Sequence, residues 1–106
     1  MKNYIANLSQ TGTSAPTAVE FQNTIGAMTF ARIAAGTYTM TCVGGFPEGK
    51  VHILAYGWTD DYSEAISTVG RNGDDEIIIY TRGFDNPPVL LDGTMGTLSV
   101  CITVVD

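Results

Sequence analysis

A chain of 106 residues that is 44% hydrophobic and 15% charged is too apolar to stay disordered, and it can bury roughly two-thirds of its unfolded surface without a metal or disulfide staple. Its net charge of −6 leaves only Lys2, Arg32, Lys50, Arg71 and Arg82 as cations, scattered with no basic stripe, which argues against nucleic acid and anionic membranes as partners. No run approaches the roughly 20 apolar residues of a membrane-spanning helix, and residues 1–7 lack the apolar stretch of a secretory signal, so synthesis in a cytoplasm without export is expected.

In chain order, residues 3–10 read as a first strand, ended by the turn composition of Thr11-Gly12-Thr13-Ser14-Ala15-Pro16. Residues 17–23 read as a second, with Val19 and Phe21 on one face and Glu20 and Gln22 on the other, before Gly26 breaks the pattern. Residues 28–34 and 37–43 read as a hairpin around Ala35-Gly36. Its second arm is the clearest strand in the chain: Tyr38, Met40 and Cys42 alternate strictly with Thr37, Thr39 and Thr41, which predicts a buried Cys42.

Residues 50–58 set Val51, Ile53 and Ala55 against His52, Leu54 and Tyr56. Two apolar faces predict a central strand covered on both sides. Residues 64–71 and 76–83 flank Asn72-Gly73-Asp74-Asp75, a strong hairpin signal, although residues 62–69 also suit a short helical turn. Consecutive Pro87 and Pro88 demand a loop, and residues 97–105 alternate as a long terminal strand that zips into the middle or the edge of a sheet. With no linker or repeat, residues 1–106 form one all-β domain, an antiparallel β-sandwich or jelly-roll-like fold, with a small barrel as the other closed solution.

Few side chains here suit catalysis. His52 is the only histidine and sits mid-strand, so a Cys–His pair with Cys42 or Cys101 is arithmetically available but poorly placed for a substrate. Two cysteines allow one bridge, yet cytosolic thiols stay reduced, and both are expected to be free and buried. Three Cys and His residues at 42, 52 and 101 match no zinc pattern. Asp60, Asp61 and Glu64, then Asp74, Asp75 and Glu76, miss the calcium-loop spacing and suit solvated loop charge, with an inter-loop calcium site as the alternative. No phosphate-binding glycine loop occurs, and neither an enzyme nor a cofactor is expected. The candidate binding residues are Tyr56, Trp58, Asp60, Asp61 and Tyr62, where aromatic rings beside acids suit stacking on a sugar or anchoring an interface; the bland alternative is that the rings cap the core.

Residues 6–26, from Ala6-Asn7-Leu8-Ser9-Gln10 through Asn23-Thr24-Ile25-Gly26, together with Gly36-Thr37-Tyr38, resemble small phage and prophage β proteins, many from Bacteroidetes, that share the string LxQxGTxAPxAxxxxNTxG. The likeness covers about the first 40 residues and brings turn and strand positions, with no catalytic residues. It implies a virion component such as capsid decoration, a head fibre or a tail fibre. Such proteins are often three-fold, so a homo-oligomer, most readily a trimer, contacting other virion proteins is expected. A lectin-like module that binds a host-surface glycan is the alternative.

Overall fold

Strands that alternate apolar and polar residues each have one face to bury, and two sheets pressed together by those faces satisfy all of them. The computed structural model describes residues 1–58, 66–83 and 89–106. Its strands are β1 (Lys2–Ser9), β2 (Thr17–Asn23), β3 (Thr29–Ala34), β4 (Thr37–Thr41), β5 (Val51–Trp58), β6 (Ile66–Arg71), β7 (Glu76–Arg82) and β8 (Thr97–Val104). They form two antiparallel sheets, β2-β1-β8-β5 and β3-β4-β7-β6, stacked as a β-sandwich. The expected all-β architecture holds, with strand ends within about three residues of those read from periodicity.

The core forms where the two alternations meet. From the first sheet, Tyr4 and Leu8 of β1 and Leu98 and Ile102 of β8 point inward and are fully buried. They face Tyr38 and Met40 of β4 and Ile77 and Ile79 of β7, with Phe46 and Met95 closing the layer from loops. Burying each such aliphatic side chain contributes roughly 1.5–3 kcal/mol. The terminal strand takes the central option, lying between β1 and β5.

Two expectations change. First, β5 is not central: among the described residues it pairs only with β8 and forms an edge, and its second apolar row is exposed, with Leu54 at 60% and Tyr56 at 70%. Two apolar rows therefore mark one face that packs partly against the core through Val51 and Ile53 and one open face. Second, β4 ends at Thr41, so Cys42 starts a turn and is only half-buried, packed at the margin of the core. Residues 66–71 are extended and pair with β7, in keeping with the strand expected there, which excludes the alternative helical turn over these residues. The reversal into β7 occurs where expected, with Gly73 at φ +84°. It spans the four residues 72–75, closed by the Asn72 amide donating to the Glu76 carbonyl at 2.8 Å.

Loop anchoring is largely polar. Asp92 accepts hydrogen bonds from Nε and Nη2 of Arg32, the Gly36 amide and the Tyr38 hydroxyl, fastening the segment before β8 onto the β3–β4 hairpin. At the opposite end, Phe46 is buried while its amide donates to the Asp74 carbonyl and its carbonyl accepts from Arg71 Nε at 2.7 Å.

Candidate binding face

Strand alternation sends half of each strand away from the core, and on the first sheet those residues form a coherent surface. Register pairs Ile5 of β1 with Cys101 of β8, and Cys101 with Leu54 of β5, making an apolar row across the middle of the sheet. One step along, Asn7 pairs with Ser99, and Ser99 with Tyr56. At the other margin β2 carries a bulge opposite the Ile5–Ala6 step. Bulges re-aim side chains, and Phe21, which lies in this one, stands 65% exposed. Phe21 on one side and Leu54 and Tyr56 on the other flank a groove of about 450 Å³ over Ile5, Asn7, Ser99 and Cys101.

The polar residues of this face are ordered. Trp58 Nε1 donates to Ser99 Oγ at 3.0 Å, and Ser99 Oγ donates to Asn7 Oδ1 at 2.8 Å. Thr103 Oγ1 donates to Asn3 Oδ1 at 3.0 Å in the same manner. These cross-strand bonds hold the floor rigid, which suits a surface that binds by shape.

Of the residues proposed for binding, Tyr56 and Trp58 thus share this face, Tyr56 as an exposed ring and Trp58 half-buried with its N–H engaged. Asp60, Asp61 and Tyr62 lie outside the described residues, as does Glu64. Phe21, Leu54, Ile5 and Cys101 were not singled out by sequence, although one signal was available: each is an apolar residue in the outward register of its strand.

His52 and Cys101 share the open face as diagonal neighbours, since Leu54 pairs with Cys101 and His52 with Thr103, but no hydrogen bond joins them. Cys42 lies in the turn after β4 of the other sheet, with its Sγ close to Gly26 and Gly45. Asp75 Oδ1 accepts from the Gly44 amide, Glu76 Oε1 from Asn72 Nδ2, and Asp74 pairs with Arg71, so the second acidic run braces loops. Among the described residues, no three His, Cys, Asp or Glu side chains gather as a metal ion would require.

The polar residues of the segment 6–26 are likewise architectural. Gln10 Nε2 donates to the Gly12 and Ser14 carbonyls, and its Oε1 accepts from the Gly93 amide. Asn23 Oδ1 accepts from the Ile25 and Gly26 amides, and Thr24 Oγ1 from the Asn3 amide. At the Asp92 cluster, the Arg32 guanidinium, then the Tyr38 hydroxyl and the Gly36 amide, hold the carboxyl well below the usual carboxylate range. Burial, then the bond to Asp92, pushes the Tyr38 phenol up to about 12. With Arg32 and Asp92 paired and their side chains 29% and 17% exposed, the cluster is a fastening and not a ligand site.

Against protein-family models, curated proteins and solved structures, the chain has no match.

Proposed function

We propose that this chain is a non-enzymatic structural module of a phage particle, a capsid-decoration, head-fibre or tail-fibre component, that acts by binding copies of itself and other virion proteins. The observation that carries the binding half of this reading is the open face of the first sheet, where Phe21, Leu54 and Tyr56 stand 60–70% exposed around an apolar groove. Contiguous exposed apolar surface of this kind marks interaction sites. The phage setting is supported by the likeness of residues 6–26 to phage and prophage proteins. Mass spectrometry of purified particles from a lysogen carrying the gene tests it. The chain is expected at a fixed ratio to the particle's shell or fibre subunits, and its absence from particles overturns the proposal.

A second reading, a lectin-like module, is favoured by one observation: the Tyr56 ring is open to solvent beside the Ser99–Asn7 pair, an apolar plane next to hydrogen-bonding groups. A glycan array discriminates the two. Sugar binding that is lost in Tyr56→Ala replaces the structural reading.

A further inference from the structure

We infer that the outer face of the first sheet seats a second copy of this chain, the two copies packing face to face about a two-fold axis parallel to the strands. This rests on the self-association proposed above and names its surface.

Charge selects the occupant. A second copy carries the same net charge of −6, so contact through carboxylate-bearing surface is repulsive. Outward positions of β1 and β8 hold only Asn, Ile, Ser, Thr and Cys, and β5 adds His52, Leu54, Tyr56 and Trp58. None is a carboxylate, an ammonium or a guanidinium. Glu20, the acid on β2, pairs with inward-facing Ala6 and so belongs to the other side of the sheet. Among the described residues, this strongly acidic chain thus keeps the strands of one whole sheet face free of formal charge.

Area permits a stable pair. Four strands about 4.8 Å apart and eight residues long at about 3.3 Å each cover roughly 500 Å² in projection, or roughly 1,000 Å² for two copies. Side-chain relief adds to that figure, and a specific interface needs about 1,000 Å².

Strand order then sets the orientation. In β2-β1-β8-β5, a two-fold axis parallel to the strands lays β2 of each copy over β5 of the other. Phe21 then meets the partner's Leu54 and Tyr56 twice, and Ile5 lies over the partner's Cys101. Aromatic and aliphatic anchors of this type are how interfaces gain most of their affinity. Pairing by a single face closes at two copies, not the three expected by analogy with phage fibres.

Light scattering and sedimentation of the full chain at micromolar concentration should give twice the 11.3 kDa chain mass. Leu54→Asp and Tyr56→Lys, both at exposed positions, should each return the monomer with an unchanged circular-dichroism spectrum. In the wild type, alkylation of Cys101, read by peptide mass spectrometry, should slow several-fold as concentration rises, while that of Cys42 stays constant. An oligomer that survives both substitutions, with Cys101 equally reactive at every concentration, overturns this face but leaves self-association standing. A monomer throughout overturns both.

Discussion

Tyr38 on β4 donates its hydroxyl proton to Oδ1 of Asp92, 54 residues further along the chain. The same carboxylate takes a bidentate contact from Arg32, so one acidic side chain ties the segment before β8 to both arms of the β3–β4 hairpin. Charge-assisted bonds of this kind are the strong ones. Asp92→Ala should lower the melting temperature by roughly 5 °C or more for a chain of this size, and Asp92→Asn by less. An unchanged melting curve for Asp92→Ala would show the cluster to be idle.

The pH dependence follows from the same contacts. The Asp92 carboxyl is held below its unfolded value, so its stabilisation is present above the ordinary carboxylate range and is lost as pH falls through and below it. The Tyr38 phenol moves the other way, from 10.0 to about 12, so stability is unaffected below pH 10 and declines as pH rises toward 12, where the unfolded chain ionises first. Urea midpoints across pH 2–12 should fall at both ends. Asp92→Asn should flatten the acid limb, and an identical acid limb in that variant contradicts the assignment.

Two glycines with positive φ should respond differently to substitution. At Gly36, φ +66°, an added Cβ would lie 2.6 Å from the Leu91 nitrogen and 2.7 Å from the Thr81 oxygen, both backbone atoms that cannot swing away. Gly36→Ala should therefore cost several kcal/mol, combining strain with a steric clash (about 1–3 kcal/mol for strain alone). At Gly73, φ +84°, nothing lies within 4 Å, so only backbone strain opposes a side chain. Gly73→Val should cost about 1 kcal/mol or more and Gly73→Asn less, since Asn tolerates this region. Chemical denaturation that ranked Gly36→Ala as the mildest of the three would refute the packing seen at the hairpin.

The Tyr4 hydroxyl is buried in the core with no hydrogen-bond partner among the described residues, and burial, with Glu20 adding to it, pushes its phenol above the usual range. An unpaired buried hydroxyl is a liability. Tyr4→Phe should leave stability unchanged or raise it by up to about 1 kcal/mol. A loss of that size in calorimetry would mean that Glu20 accepts a bond from Tyr4.

Gln10 is only 7% exposed and spends both ends of its amide on backbone groups of two loops. Gln10→Ala leaves those groups unpaired, at about 1–3 kcal/mol, while Gln10→Glu loses the donor and keeps the acceptor. Hydrogen exchange should accelerate at the Gly93 amide in the first variant and less in the second. Equal protection in both would show that the Gln10 carbonyl is not what holds that loop.

Local chemistry determined much of this molecule. The Tyr38-Met40 alternation and the Asn72-Gly73 reversal each act within a few residues, so periodicity and turn preference placed the eight described strands and the sandwich class, while the loop expected at Pro87-Pro88 lies outside the described residues. Tyr56 and Trp58 were legible for the same reason, as rings at one strand's end. Tertiary structure alone decided which apolar row of β5 was covered. Alternation assigns residues to two faces but does not say what packs on either, and among the described residues β5 pairs with β8 alone, about forty to fifty residues away along the chain. The open face, its Phe21 and Leu54 margins and the hub at Asp92 all depend on such distant pairings. Their partners meet only when the β-sheets assemble, because no local rule of φ, ψ or spacing connects residue 5 with residue 101, or residue 38 with residue 92.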